Sequence, residues 1–388
     1  MVKFEESGTV AFFNRAKQFE TQGKPLIHLE VGELDFPPPS FVIRDAQEIL
    51  TQRSPKYTPS WGLPELREEI GIYLEKRYRI PRPDSRSEIM VTPGAKFALF
   101  LAFSVLLDPG DECILFSPYF PTFKAIVEGI GGKVIEQSFL GLSDAEITTE
   151  LQKKITNKTR VIVINSPNNP SGIIISKDLL GKIAGIISSQ KNIHVISDDI
   201  YERFTYEGQV FSSITQFPEI RARTIVINGF SKSFAMTGFR IGYAIGPSQV
   251  ISEVDKIQQN TVTCVNETVQ LTGAKALERT NHNDADYYHY SQDMLAELAR
   301  RRQFLLEQLD QIPDISIVRP YGAFYVFPKF GRIESSYEFA LKLLDKGAVV
   351  TPGIVFGQFG ESHLRLCYTQ PIKILEQFIQ ILKTIYKK

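Results

Sequence analysis

Lys232 has the surroundings best suited to covalent chemistry in this 388-residue chain. It follows an apolar run and has a serine and then a phenylalanine on each side. A lysine at a strand end in apolar company is desolvated, which favours the neutral amine that attacks aldehydes. Taken alone, such a lysine is more often a surface residue. Its chemistry therefore depends on which other residues can act with it.

Several other polar positions lie where strands end or helices begin. Asp198 directly follows an apolar run, where an aspartate can also simply cap a helix. Residues 92–96 lie between a predicted strand and a predicted helix, where free N–H groups and the helix dipole favour an anion. Gly94 in that segment permits close approach. Arg365 alternates into an apolar strand, where a lone charge is costly unless it is paired. Residues 165–172 consist of Asn, Ser, Pro and Gly, which strongly predicts a turn.

The elements that must position these residues alternate along the chain between short β-branched runs and longer helical periods. Two of the runs are apolar throughout, as strands covered on both faces must be. Such repetition predicts an α/β fold with a mostly parallel sheet and helices on both sides. The predicted strands are residues 88–92, 112–116, 133–136, 160–164, 194–197 and 224–227, with helices at 96–107 and 125–130.

The two ends of the chain have a different pattern. Helical periodicity covers residues 288–309 and 372–386, and short strand-like pieces lie at 315–318, 324–327 and 363–367. We therefore predict a smaller α/β domain built from residues 1–38 and 285–388. Residues 39–284 form the large domain in this prediction.

Composition excludes several classes of protein. Lys plus Arg and Asp plus Glu both number 44, so the net charge is zero and the basic footprint of a nucleic-acid-binding protein is missing. The longest apolar run, residues 97–107, is far shorter than a membrane span of roughly 20 residues, and the first residues do not resemble a signal peptide. Three widely spaced cysteines fit a reducing, cytoplasmic setting.

A metal site was considered at His282, Asp284, Asp286 and His289. These residues follow no recognised ligand pattern, and a solvated helix start explains them better. We expect no metal.

The segment Ser-Lys-x-Phe-x-Met-x-Gly-x-Arg-x-Gly at residues 231–242 strongly resembles the cofactor-lysine region of the class I aminotransferases. These are pyridoxal-phosphate enzymes of fold type I. Further motifs match the same family in order from about residue 28 to residue 370, without a large insertion. The resemblance implies pyridoxal 5'-phosphate as cofactor, and an amino acid and a 2-oxo acid as substrates.

The resemblance also implies roles for individual residues. Lys232 binds the cofactor covalently and then moves the Cα proton of the substrate. Asp198 faces the pyridine nitrogen, and the ring oxygen receives hydrogen bonds from Tyr201 and Asn169. The remaining roles are Phe120 and Ile200 on the two ring faces, Gly94, Ala95, Lys96, Ser231 and Arg240 around the phosphate, and Gly32, Asn169 and Arg365 at the substrate carboxylate.

Tyr57 matches a tyrosine that reaches the phosphate from the neighbouring subunit, which implies a homodimer with shared active sites. Two positions depart from the family pattern: Leu34 stands where a proline is common, and Trp61 where a small residue is usual. Both lie near the substrate entrance in relatives, so they leave room for an unusual pocket.

The substrate stays open at this point. Lys96 matches a lysine that some aspartate aminotransferases direct at the distal carboxylate, which favours an aspartate or glutamate type of substrate. Aromatic amino acids or alanine are alternatives. A lyase or cyclase of the same fold would release ammonia or close a ring without an amino acceptor. A sensor domain of an aminotransferase-like regulator is disfavoured, because about 30 residues precede Gly32.

Overall fold

The computed structural model describes residues 8–386. Its centre is a seven-stranded sheet in the order β2-β8-β7-β6-β5-β3-β4. These strands are β2 (Ile89–Thr92), β3 (Glu112–Ser117), β4 (Lys133–Ser138), β5 (Thr159–Asn165), β6 (His194–Asp198), β7 (Thr224–Gly229) and β8 (Gly242–Ile245). All neighbouring pairs are parallel except those of β8, which runs antiparallel to both β2 and β7.

All six strands predicted for this sheet are present, and the prediction of a mostly parallel sheet is confirmed. The seventh strand, β8, is not among the predicted strands. It has four residues, begins at Gly242 and is buried throughout. Such a short buried run cannot be distinguished from other apolar segments by periodicity.

Helices cover both faces of the sheet. The helices of the described residues are α1 (Gly8–Thr21), α2 (Ser40–Gln52), α3 (Pro64–Tyr78), α4 (Ala95–Leu106), α5 (Pro121–Gly129), α6 (Asp144–Lys154), α7 (Lys177–Ser188), α8 (Pro218–Arg221), α9 (Ser248–Thr261), α10 (Glu267–Asn281), α11 (Ala285–Asp310), α12 (Ser336–Asp345) and α13 (Ile372–Tyr386). Helix α5 starts earlier than predicted, because Pro121 is well suited to a first helical position. None of the helices within residues 8–386 is long and apolar enough to cross a bilayer.

The alternation of side chains along β3 separates the two layers. Cys113 and Leu115 pack with α4, α5 and α9, whereas Ile114 and Phe116 pack with α6 and α7 on the opposite face. Successive side chains of a strand point to opposite faces, so one strand contributes to both cores. This sandwich holds the carboxyl ends of the parallel strands in place.

A further core joins the two ends of the chain. It combines side chains of residues 12–34 with those of α11, α12, α13 and the short strands near the C-terminus. The short strands near the C-terminus are β9 (Ile315–Ser316), β10 (Tyr325–Val326), β11 (Lys329–Phe330), β12 (Ala348–Val349), β13 (Thr351–Pro352) and β14 (Leu364–Cys367). The N-terminal strand β1 (Ile27–His28) pairs in parallel with β12. The domain boundaries at 38/39 and 284/285 stay a prediction.

Candidate active site

A cavity of about 430 Å³ lies where the carboxyl ends of β5, β6 and β7 meet the residues contributed by both chain ends. Most of the predicted site residues line it: Gly32, Ala95, Lys96, Phe120, Asn169, Asp198, Ile200, Tyr201, Ser231, Lys232, Arg240 and Arg365. Open α/β sheets bind ligands at this edge. The fold therefore brings together residues that the sequence separates by more than 300 positions.

Lys232 projects into the cavity from the segment that follows β7. Its Nζ donates a hydrogen bond to the carbonyl oxygen of Gly32 at 2.6 Å and lies 5.8 Å from the centre of the Phe324 ring. Burial lowers the pKa of Lys232 from 10.5 to about 8. The neutral amine that attacks a carbonyl carbon is thus accessible near neutral pH.

Asp198 is the last residue of β6, and its side chain is buried. Burial raises the pKa of this carboxyl from 3.8 to about 7. The side chain of Asn165 bridges to it from β5: Nδ2 donates to the carbonyl oxygen of Asp198 at 2.9 Å, and Oδ1 accepts from the backbone N–H of Asn169 at 2.9 Å. The carboxyl itself accepts a hydrogen bond at Oδ1 from the backbone N–H of Ile200 at 3.3 Å. A carboxylate at this position can stabilise a cationic N–H group placed against it.

Asn169 and Tyr201, to which the resemblance assigns hydrogen bonds to the cofactor ring oxygen, both line the cavity. The Oδ1 atom of Asn169 accepts from Nη1 of Arg365 at 3.1 Å, and the hydroxyl of Tyr201 lies 2.6 Å from the hydroxyl of Tyr325. The Asn169–Pro170 peptide bond is cis.

The first turn of α4 is suited to an anion. The N–H groups at a helix N-terminus have no partner within the helix, and they favour a phosphate together with the helix dipole. Gly94, just before the helix, has φ +85°, and a Cβ added there would lie 2.7 Å from Nη2 of Arg240. A Cβ on Gly242 would lie 2.5 Å from the backbone nitrogen of Ala95. Side chains at these glycines would fill the cradle.

Arg365 is buried at the other end of the cavity. Its Nη2 donates to the carbonyl oxygen of Glu30 and to Oγ1 of Thr351, and its guanidinium lies 4.9 Å from the centre of the Tyr325 ring. The Nε atom is buried and has no hydrogen-bond partner among the described residues. A guanidinium without a facing carboxylate side chain is suited to an anionic ligand.

Four predicted positions lie apart from the cavity lining: Tyr57, Leu34, Trp61 and Gly94, which directly precedes the lining residue Ala95. The side chain of Tyr57, in the loop between α2 and α3, is 89% exposed. Leu34 is buried in the core shared by the chain ends, and Trp61 packs against the layer that contains α4. Neither Leu34 nor Trp61 lines the cavity, but Leu34 lines a neighbouring pocket together with Glu33 and Thr237, which belong to both. The unusual substrate pocket stays a prediction.

Further residues that sequence reasoning missed also line the cavity: Glu30, Val31, Glu33, Leu99, Asn165, Thr237 and Tyr325. Asn165 and Thr237 lie inside segments that the motifs had already marked. Tyr325 lies in an aromatic strand, where core packing is the default expectation. No local signal distinguishes its hydroxyl from those of the other buried tyrosines.

The donor set fits a phosphorylated pyridine aldehyde. A desolvated amine, a buried carboxyl and an anion cradle surround one cavity of a mostly parallel sheet. Together with the sheet order, this arrangement places the protein in fold type I. Among the described residues, no group of three or more His, Cys, Asp or Glu side chains could hold a metal ion.

Comparisons with known proteins identify the family. Residues 24–382 match the family model described as aminotransferase class I and II, and the chain belongs to this family. It is 33% identical to the (5-formylfuran-3-yl)methyl phosphate transaminase of Methanocaldococcus jannaschii, over 100% of this chain and 99% of the relative. It is 36% identical to the aspartate/prephenate aminotransferase of Thermus thermophilus, over 97% and 96% of the two chains.

A solved structure gives the same result. The aspartate aminotransferase from Thermus thermophilus with maleate superposes with a TM-score of 0.90 at 33% identity, covering 98% of this chain and 97% of that chain. The predicted enzyme class is therefore confirmed: the protein is an aminotransferase of a family that depends on pyridoxal phosphate in general.

Proposed function

We propose that this aminotransferase binds pyridoxal 5'-phosphate and transfers the amino group of a dicarboxylic amino acid, aspartate or glutamate, to a 2-oxo acid. The observation that carries the proposal is a pair of cationic side chains, Arg365 and Lys96, that line one cavity together with Lys232. A substrate with two carboxylates gains an ionic contact at each end there, whereas alanine gains only one. Two relatives are named for aspartate, which supports this choice.

The side chain of Lys96 can contact the distal carboxylate while its backbone contributes to the anion cradle. Its backbone lies in the first turn of α4, at the anion cradle, while its ammonium reaches the cavity 5.5 Å from the centre of the Phe120 ring. Burial, and secondarily Arg240, lower the pKa of Lys96. An anionic partner would offset both effects.

Arg365 orients the substrate in this proposal. Its buried guanidinium offers a fork to the α-carboxylate, with the side chain of Asn169 and the backbone of Gly32 beside it. Fixing the carboxylate fixes the direction of the Cα–H bond, which then points at Lys232. The amine of Lys232, with its pKa of about 8, accepts and returns that proton.

The remaining residues hold the cofactor in this proposal. When bound, pyridoxal phosphate supplies an electron sink that stabilises negative charge at Cα. Asp198 faces the pyridine nitrogen and keeps a proton on it, and Tyr201 and Asn169 hydrogen-bond the ring oxygen. Phe120 and Ile200 cover the two faces of the ring. The phosphate lies among Gly94, Ala95, Lys96, Ser231 and Arg240.

We also infer a homodimer in which Tyr57 of each subunit completes the phosphate site of its partner. The side chain of Tyr57 is 89% exposed, which is unusual for an aromatic residue and fits a contact with a second copy. Mixed dimers test this inference. Lys232→Ala and Tyr57→Ala are each expected to be defective alone, and co-expression restores one intact site per hybrid dimer. If the hybrids gain no activity, each site is built from one chain.

A reducing, cytoplasmic compartment completes the proposal, because Cys113, Cys264 and Cys367 are all unpaired. Cell fractionation tests it. Recovery of the enzyme with periplasmic or secreted markers would contradict it.

Half-reaction spectroscopy tests the substrate class. The holoenzyme is mixed with a single amino acid in the absence of any 2-oxo acid, and the cofactor absorbance is followed. We expect fast bleaching with aspartate and glutamate and slow bleaching with alanine and phenylalanine. Lys96→Met should reduce the preference for aspartate over alanine by about tenfold, as expected for loss of one charged contact.

The exposed Lys133 gives a matched control, since Lys133→Met removes a lysine charge far from the cavity lining. Faster bleaching with an aromatic amino acid would indicate an aromatic substrate and would still support amino transfer. Ammonia release with persistent yellow colour would instead indicate a lyase.

A further inference from the structure

We propose that Tyr325 is a positioning residue that fixes the Tyr201 phenol with its hydroxyl and the Arg365 guanidinium with its ring. The inference rests on the proposed roles of Tyr201 at the cofactor oxygen and of Arg365 at the substrate carboxylate. It adds a residue to which the family motifs assigned no role. Tyr325 would couple the cofactor end of the site to the carboxylate end.

Strand pairing places Tyr325 next to Arg365. Tyr325 in β10 lies opposite Cys367 in β14, and Arg365 is two residues before Cys367 on the same strand. Residues two apart on a strand share a face, and diagonal neighbours lie within reach of aromatic side chains. The Arg365 guanidinium is 4.9 Å from the centre of the Tyr325 ring, so the ring supports the guanidinium from one side.

The hydroxyl of Tyr325 reaches across to the large sheet. It lies 2.6 Å from the hydroxyl of Tyr201, which follows β6, and both side chains are almost completely buried. Burial raises the pKa of both phenols, so each keeps its proton near neutral pH. With the Tyr201 proton directed at the cofactor oxygen, Tyr325 must donate to Tyr201. A donated hydrogen bond polarises the acceptor and strengthens its own donation.

Gly32 is the third element that meets Tyr325. A Cβ added to Gly32 would collide with the hydroxyl and ring of Tyr325. The backbone assigned to the substrate carboxylate therefore rests directly on this tyrosine. One rigid ring contacts three groups that must be correctly spaced for one substrate.

A titration of the substrate-free holoenzyme tests the hydroxyl. A hydrogen bond donated to the anionic ring oxygen favours the deprotonated chromophore, so Tyr201→Phe should raise the pH midpoint of the visible absorbance change. Tyr325→Phe should raise it by about 0.3 pH unit or more, since the Tyr201 phenol loses its polarising donor. In the Tyr201→Phe background, Tyr325→Phe should add nothing, because the relay is already broken.

Kinetics with an amino acid substrate test the ring. Tyr325→Phe keeps the ring against Arg365 and should leave KM within about twofold, whereas Tyr325→Leu should raise KM by about three- to tenfold. Tyr206→Phe is the control, because it removes a buried hydroxyl that donates to the Ala323 carbonyl oxygen outside the cavity. It should leave both the midpoint and KM unchanged.

The outcomes separate this inference from the proposed function. A midpoint shift with Tyr201→Phe but not with Tyr325→Phe, or additive shifts in the double variant, would overturn the relay and leave the cofactor contact standing. Equal KM values for the phenylalanine and leucine variants would overturn the role of the ring. An unchanged midpoint in Tyr201→Phe would remove the Tyr201 assignment itself. The dicarboxylate preference is measured separately, through Lys96→Met.

Discussion

The Nζ atom of Lys232 lies 2.6 Å from the carbonyl oxygen of Gly32, although the two residues are 200 positions apart in the chain. The contact joins the segment after β7 to the N-terminal segment that follows β1. It brings the reactive amine next to the backbone that is proposed to meet the substrate carboxylate. The chemistry of the site therefore depends on how the N-terminal segment packs.

Removal of the Lys232 amine should abolish turnover. We expect Lys232→Ala to retain its fold and to lose detectable transamination, because no amine is left to bond the cofactor or to move the Cα proton. Borohydride reduction followed by mass spectrometry should find the cofactor attached to the wild-type chain only. Lys256→Ala, which removes an exposed lysine, is the control. Full activity in Lys232→Ala would refute the assignment.

Replacement of Arg365 should damage substrate binding more than cofactor binding. We expect Arg365→Ala to raise KM and to lower kcat/KM by at least about tenfold, since breaking a buried charged pair costs roughly 3–5 kcal/mol. Arg365→Lys keeps the charge but loses the fork, and it should recover only part of the loss. Steady-state kinetics give both values. Arg300→Ala, at an exposed position of α11, should behave as wild type.

The buried carboxyl of Asp198 should make the cofactor-free protein less stable at neutral pH. Its pKa is raised from 3.8 to about 7 by burial. Between these values the folded chain keeps a proton that the unfolded chain has released, so stability falls as the pH rises through this window. An amide does not ionise. Cofactor-free Asp198→Asn should therefore melt at least about 2 °C above the wild type near pH 7.5.

The pH dependence separates this cause from a general packing effect. Near about pH 5 most of that window has not yet been crossed, so the difference in melting temperature should shrink by more than half. Differential scanning fluorimetry at the two pH values measures it. A constant difference at both pH values would contradict the ionisation argument. Asp198→Asn should still lose activity, because the amide cannot hold the pyridine nitrogen protonated.

A side chain at Gly94 should weaken cofactor binding specifically. Gly94→Ala places a Cβ 2.7 Å from Nη2 of Arg240, in the cradle proposed for the phosphate. Gly110 offers a matched control, because it also has positive φ, +92°, but no atom lies within 4 Å of its added Cβ. Both variants carry backbone strain, and that of Gly94→Ala is about 1–3 kcal/mol, because φ +85° with ψ 157° is a region almost restricted to glycine. Only Gly94→Ala should raise the cofactor Kd, by about tenfold or more, in equilibrium dialysis.

Local sequence determined much of this protein. The strand and helix periods predicted six strands of the sheet and the helix Ile372–Tyr386 with its observed bounds. The resemblance of the segment around Lys232 to a known motif indicated the aminotransferase family, and the structure brings most of the residues assigned by that resemblance into one cavity. These successes share a physical cause: side-chain period, turn residues and strand-end motifs all act over a few neighbouring residues.

The tertiary structure alone decided how distant segments meet. Leu34 and Trp61 suggested an altered pocket, yet neither lines the cavity, whereas Tyr325 lies in an ordinary aromatic strand and reaches the Tyr201 hydroxyl across 124 positions. One hydrogen-bond partner of the Arg365 guanidinium is likewise distant in sequence: the backbone carbonyl of Glu30, 335 positions away. Such contacts depend on strand register and on the packing of two cores, and the pattern of adjacent residues determines neither of them.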